Sequence, residues 1–274
     1  MILNRKEKII LSTINIFLGL CIITPILYAL SISFMRADEI FSTKLNILPH
    51  GLYLGNYLEA INTIPIFRYI LNSFLISIFS TFGQVVISCL AAYAFSYFKF
   101  RGRNIIFMLF LATMMIPGEA IIISNYLTIS SLGLLDSYPA LILPNLASAM
   151  GIFMLRQYFL TVPKDLIEAA KIDGMSSFGF LINVLIPISK SAISSLSMYT
   201  FLIIWNQYMW PLLVTNSDNM RTVQIGISML RDTEAESFGM VMAGIILVII
   251  PSILIFIIGQ KQLIDGMTEG SVKG

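Results

Sequence analysis

Charge is scarce in this 274-residue chain: Asp, Glu, Lys and Arg together make 12% of it, against 57% hydrophobic residues. Soluble domains carry about 25% charged residues, so a water-soluble globular domain is excluded. Histidine occurs once, at His50, and cysteine twice, at Cys21 and Cys89, both inside apolar runs. That leaves neither a His/Cys metal cluster nor a disulfide framework. No glycine is followed by lysine, so the phosphate-binding loop G-x-x-x-x-G-K-[ST] is missing and ATP is not bound by that route. The net charge of +2 gives no basic field for nucleic acid. Clustered Asp, His or Cys, which a membrane enzyme would need, are absent as well. The two G-x-x-x-G matches, Gly51–Gly55 and Gly266–Gly270, lie outside the apolar runs and read as turn glycines.

What is present is long apolar sequence, with a mean hydropathy of +0.86. A spanning helix needs about 20 mostly apolar residues to cross about 30 Å of hydrocarbon. Six stretches qualify, at about 9–34, 69–98, 105–126, 138–159, 193–210 and 238–259. Pro25, Pro117 and Pro251 fall inside three of them, where neighbouring helices can satisfy the freed carbonyls. The first stretch is too long for a signal peptide and reads as a signal anchor. The expectation is an all-α polytopic membrane protein with six transmembrane helices in one domain.

The remaining charges sort by side. The N-terminus, the 99–103 loop, the 156–190 loop and the C-terminal tail hold twelve Lys and Arg; the other side holds Arg36, Lys44, Arg68, Arg221 and Arg231. The positive-inside rule then places both termini in the cytoplasm. The outer loops at 35–68 and 211–237 are too long for plain connectors.

Within the inner loop at about 161–190, Pro163 suits a first helical turn and Gly174 a left-handed position just past a helix end. At 100° per residue Lys164, Glu168 and Lys171 share one face, with Leu166, Ala169 and Ala170 opposite. Alanines on that apolar face permit close approach of another backbone. A helix of about eleven residues is marginal alone and must pack on something.

Glu168-Ala169-Ala170, three residues, Gly174, nine residues and Val184-Leu185-Ile186-Pro187 resemble the EAA loop of binding-protein-dependent ABC importer permeases, EAA-x3-G-x9-I-x-L-P. Val184 and Ile186 depart from the usual Ile and Leu but stay apolar. The segments 134–138, 153–158, 205–212 and the tail 266–274 resemble the carbohydrate-importer branch, of maltose-permease and glycerol 3-phosphate-permease type. The resemblance implies the type I importer permease fold, a second permease subunit, two ABC ATPase subunits that carry the ATP and Mg, and an extracytoplasmic binding protein. It implies no cofactor or metal on this subunit and no enzymatic step. It also makes the loop a cytoplasmic coupling helix, with Glu168, Ala169, Ala170, Asp173, Gly174 and Pro187 facing or shaping the ATPase contact. The solute expected is a sugar, an oligosaccharide or a polyol phosphate such as sn-glycerol 3-phosphate.

Polar residues inside apolar spans are the candidates for the path: Asn72, Gln84, Glu119, Asn145, Asn206 and Gln207. The competing use of the amides is interhelical bonding. On a continuous helix Asn206 and Trp210 lie 40° apart and Trp205 and Tyr208 60° apart. The first pair is expected to line the path and the second to pack or sit at the interface. An ion-coupled secondary carrier is the alternative, and it would need a buried carboxylate relay for which only Glu119 offers itself.

Overall fold

Apolar runs without caps propagate as helix until proline or a glycine-polar pair stops them. The computed structural model describes residues 5–43, 46–232 and 238–269, and all regular structure among them is helical. In chain order the helices are α1 (Arg5–Ser33), α2 (Ala37–Ile40), α3 (Gly55–Thr63), α4 (Ile66–Tyr97), α5 (Arg103–Thr113), α6 (Gly118–Ser131), α7 (Tyr138–Ile142) and α8 (Ala149–Phe159). They continue with α9 (Asp165–Ile172), α10 (Ser177–Phe180), α11 (Ile186–Ile188), α12 (Lys190–Trp205), α13 (Met209–Val214), α14 (Val223–Asp232) and α15 (Phe238–Glu269).

Ile10–Ser33, Ile66–Tyr97 and Phe238–Ile257 are each long and apolar enough to cross a membrane. Three further pairs reach that length only when joined: α5 with α6, bent by 99°; Tyr138–Asn145 with α8, bent by 44°; and Ser177–Ile188 with α12, bent by 79°. The described residues therefore hold up to six spans, three of them broken.

The breaks correct the expectation of continuous helices over 105–126, 138–159 and 193–210. Pro25 and Pro251 sit inside unbroken α1 and α15. Pro117 does not, because the chain tightens before it. The amides of Met114, Met115 and Ile116 bond three residues back (3.0, 3.1 and 3.2 Å), which closes α5. Pro117 is then extended (ψ 136°) as the residue that opens α6. Pro144 lies in a 3₁₀ turn, Leu143–Asn145, after which Ser148 caps α8 through its hydroxyl to the Gly151 amide (3.2 Å). The fifth expected stretch ends at Trp205 rather than 210. A helix through Asn206–Tyr208 would drive the Pro211 ring into the carbonyl of Gln207, so the chain breaks and restarts as α13.

The chain divides into two compact units. The first, Met1–Phe67 with Gly226–Ile253, is tied at the end of α1 by Asn56. This buried amide donates to the carbonyls of Ser33 (2.9 Å) and Met35 (2.8 Å), which have no acceptor role inside the helix. The Ser33 and Tyr57 hydroxyls meet at 2.8 Å beside the Phe34–Tyr57 ring contact.

The second unit, Arg68–Ile225 with Leu254–Gly274, is organised along α4. Ser73, Ser77, Ser80, Gln84 and Ser88 form a buried stripe of small or polar side chains down this helix. Gln84 reaches Thr200 on α12 (2.9 Å). Gly151 of α8 passes so close to Ser88 that a Cβ there would sit 2.6 Å from its hydroxyl oxygen, the small-residue contact by which apolar helices pack in lipid. A core of Cys89, Ala92, Tyr93, Leu155, Phe159, Leu185 and Leu196 joins α4, α8 and α12 at one end.

Candidate functional site

α9 is a short helix whose ends are well defined. The Ile167 and Glu168 amides both donate to the Lys164 carbonyl (2.9 and 3.2 Å), and Asp165 and Glu168 place negative charge in the first turn, with Lys171 in the last, as the helix dipole favours. The far end is a Schellman turn. Asp173 caps, Gly174 takes φ +72°, its amide donates to Lys171 (3.1 Å), and the Met175 amide donates to Ala170 (2.9 Å). Nothing lies within 4 Å of a Cβ built on Gly174, so glycine is required there by backbone conformation and not by space.

Ala170 is buried on the 155–185 core, with Ile167 and Met175 beside it. Glu168, Ala169, Lys171, Asp173 and Gly174 are exposed, as are Leu166 and Ile172, the last at 85%. This corrects the expected apolar face: Ile167 and Ala170 turn inward, while Leu166 and Ala169 look out. A helix this short anchors on one narrow i, i+3 stripe, and the rest stays free. Glu168 has no ion pair among the described residues.

Pro187 is exposed and sits in α11, between a π turn at Leu181–Leu185 and the bend into α12. Lacking an amide, it cannot bond the carbonyl four residues back, and the π turn absorbs the mismatch. The Ile188 carbonyl freed at the bend accepts from the Tyr158 hydroxyl (3.2 Å).

Asn145, at the break of the 138–159 span, and Gln207, between the end of α12 and the start of α13, form a reciprocal amide pair. Gln207 Nε2 donates to Asn145 Oδ1 (2.9 Å), and Asn145 Nδ2 donates to Gln207 Oε1 (3.4 Å) and to the Leu141 carbonyl (2.8 Å). Asn206 is exposed next to them; its amide donates to Leu202 (2.8 Å), and its oxygen accepts from Gln224 (3.4 Å).

Trp210 does not share a face with Asn206, because the helix between them is broken. Its indole is 8% exposed, donates to the Ala140 carbonyl (3.0 Å) and packs with Ile76, Ile129 and Leu141. Trp205 is also buried, stacked on Phe201 at 6.0 Å. Glu119 is exposed in the first turn of α6, as are Met115 and Ile116 in the break before it.

The start of α4 holds a second polar cluster. Asn72, 1% exposed, donates to the carbonyls of Asn219 and Arg221 (both 2.9 Å) and accepts from Tyr138 (2.7 Å). Asp136 has φ +56° and accepts from the amides of Asn216 (2.9 Å) and Ser217 (3.0 Å). Those bonds, that of Ser217 foremost, hold its carboxyl below the ordinary range. Asp218 pairs with Arg221 (2.7 Å) and accepts from Tyr69 (3.0 Å). Asn72 and Gln84, both candidates for the path, are thus consumed by structure. Among the described residues no group of three or more His, Cys, Asp or Glu could hold a metal ion.

Residues 84–264 match the family described as binding-protein-dependent transport system inner membrane component. The chain belongs to this family. It is the permease component of an ABC importer, a transport subunit and not an enzyme, and a multi-pass inner membrane protein. The permease is 36% identical, over 98% of its length and 99% of the relative, to an sn-glycerol-3-phosphate transport system permease protein of Agrobacterium fabrum. It is 34% identical over the same shares to the protein of that name from Pectobacterium atrosepticum. Its fold matches, at a TM-score of 0.84 and 23% identity over 95% of this chain and 99% of the other, a bacterial ABC transporter involved in the import of the acidic polysaccharide alginate. Membership in the family disfavours the ion-coupled carrier.

Sequence reasoning missed the Asp136 clamp, although Asp136 stands within one of the segments quoted for the resemblance, and it missed the Asn145–Gln207 pair. The available signals were Pro144 and Pro211, which mark the two breaks that bring these amides together. Of the tail 266–274, residues 270–274 lie outside the described residues.

Proposed function

We propose that this permease forms, with a second permease subunit, the transmembrane path for sn-glycerol 3-phosphate or a close polyol phosphate delivered by an extracytoplasmic binding protein. In this reading α9 is the coupling helix that docks on one of two ATPase subunits, and both termini are cytoplasmic. The observation that carries it is α9: a helix fixed at both ends by backbone bonds, yet open along Glu168, Ala169 and Ile172. Such a helix transmits displacement as a rigid body, since its Schellman turn and its Ile167–Ala170 anchor move together with the 155–185 core. ATP-driven closure of the ATPases would shift α9 and, through α8 and α12, the breaks at 143–148 and 206–208.

Irregular backbone at membrane depth is tolerated where it is covered by protein or lines a cavity. The Asn145–Gln207 pair and exposed Asn206 therefore supply the donors and acceptors that a polyol's hydroxyls need. Trp210, already bonded and packed, does not. The names of the relatives support the substrate class, and the distribution of twelve against five Lys and Arg supports the orientation.

The test is uptake of radiolabelled sn-glycerol 3-phosphate by cells making the complete transporter, with maltose as the comparison solute. ATP-dependent uptake of the phosphate ester, lost in Gln207→Ala and Asn206→Ala at equal membrane amounts, is expected. Uptake of maltose alone would overturn the substrate. In the same cells an impermeant maleimide should label Asp218→Cys and spare Ile172→Cys; the reverse pattern would overturn the orientation.

A further inference from the structure

The turn between α4 and α5 holds Lys99, Arg101 and Arg103 within five residues, and no acidic residue occurs anywhere from Glu59 to Glu119. Lys99 and Arg101 are exposed, and Arg103 is half-buried, its guanidinium donating to the Phe98 carbonyl (3.2 Å). The turn surrounds an open cavity of about 540 Å³ lined by residues 99–105, a size within the range of small-ligand sites. Gly102, at φ +83°, caps α5, and Asn104 and Ile105 lie in the first turn of that helix, whose amides precede its own bonding ladder. The ring of Phe100 rests on Phe95 (6.0 Å), which braces the turn. Arg156 adds a third guanidinium, 4.1 Å over the Phe107 ring.

The surface continuing from this cavity is apolar. Ile105, Met108, Leu109 and Ala112 recur at i, i+3, i+4 and i+7 along α5, and all four are exposed, the first three at about 60%. Cations and free amides at a helix start attract a phosphate, and an exposed aliphatic stripe running into the membrane accepts hydrocarbon. A soluble anion would use the first feature and leave the second unexplained. We infer that the α4–α5 turn is a binding site for an anionic phospholipid, its head-group phosphate held by Lys99, Arg101 and Arg103 and its acyl chains lying along Ile105, Met108, Leu109 and Ala112. The site depends on the membrane placement of α4 and α5 and is independent of the coupling role of α9. Anionic lipids gather around basic pockets of this kind.

The test uses the complete transporter, purified and placed in nanodiscs of phosphatidylcholine, with phosphatidylglycerol titrated in. Native mass spectrometry should find phosphatidylglycerol retained over phosphatidylcholine, and Lys99→Gln/Arg101→Gln/Arg103→Gln should lower that preference by at least about tenfold, given roughly fivefold for each cation near a membrane surface. A second measurement leaves the cations intact: a photoreactive group at Asn104 should crosslink phosphatidylglycerol well above phosphatidylcholine, and 0.5 M salt should reduce the difference, taken as about the concentration at which screening becomes strong. Equal retention of both lipids would overturn the site. So would displacement of the lipid by roughly 10 mM inorganic phosphate, a competition expected only of a soluble-anion site. Loss of ATPase co-purification in the triple variant with lipid retention unchanged would assign the turn to a protein partner instead. Loss of transport in α9 variants leaves the inference untouched.

Discussion

The two ends of α4 solve opposite problems. From Asn72 to Tyr97 is roughly 38 Å of helix at about 1.5 Å per residue, enough to separate the two faces of a bilayer. At the start of α4, loop 214–223 is closed down by hydrogen bonds: Asn72, Ser73, Tyr69, Asp136 and Arg221 spend their polar atoms on it. At the other end Tyr93 and Tyr97 tie the carbonyls of Ser177 and Phe159 (2.8 and 2.7 Å), and beyond those ties the charges of the 161–180 segment have no ion pair among the described residues and Ile172 is exposed. A loop that only has to hold its shape consumes its polar groups internally. A helix proposed to dock on another protein, as α9 is, fixes its backbone and leaves most of its side chains exposed.

This contrast predicts where substitutions act. The largest effect on stability belongs to Asn72→Ala. It orphans two carbonyls and a hydroxyl in a buried place, and each such group costs about 1–3 kcal/mol. A loss of roughly 3 kcal/mol in thermal or denaturant unfolding of the purified transporter follows, whereas Glu168→Ala should stay within about 0.5 kcal/mol of the parent. Equal destabilisation by the two would break the comparison.

Next comes Gly174→Val, which forces a branched side chain into left-handed backbone at a cost of about 1–2 kcal/mol or more. With no neighbour for the new atoms to strike, the penalty reshapes the end of α9. ATP-driven uptake should fall about tenfold while the amount of inserted protein is unchanged. Gly174→Asn, which tolerates that conformation, should keep most of the activity.

Glu168→Lys ranks third. It reverses an exposed charge, so the permease should insert normally while ATPase co-purification drops severalfold. Unchanged co-purification would mean that the exposed carboxylate meets nothing.

The smallest effect is a pH dependence at Asp136. Its carboxyl titrates below its ordinary value of 3.8 because the amides of Ser217 and Asn216 bond the charged form. A depressed folded value means the clamp contributes fully above the unfolded pKa and is lost as pH falls through the folded one. Hydrogen exchange should therefore find the 216–217 amides protected from neutral pH down to about 4 and opening below it. Asp136→Asn should remove that dependence.

Much of this was legible from residue type and spacing. Long apolar runs specify helix whatever surrounds them, and the Pro163–Gly174 interval marks a short helix with a left-handed end because only backbone chemistry is involved. The helix breaks were less legible, since Pro25 and Pro117 look alike in sequence. What separates them is whether the preceding turn tightens, and Gly118 immediately after Pro117 is the only local hint. Amide roles were least legible. Asn72, Asn145 and Gln207 are equivalent as sequence, and only tertiary neighbours decide that the first ties down a loop while the other two meet as a pair. The face assigned to Trp210 failed for the same reason: a 100° rule holds only while the helix does.

The claim that α9 is a docking surface is tested most directly by cysteine protection. Ile172→Cys, in an otherwise cysteine-free transporter, should react readily with a maleimide when the permease pair is purified without its ATPases. Reaction should slow at least about tenfold, an estimate for full burial of an 85% exposed position, once the ATPases are bound, while Asn219→Cys at the other end of α4 reacts equally in both. The same rate at position 172 with and without the ATPases would contradict the docking role of α9.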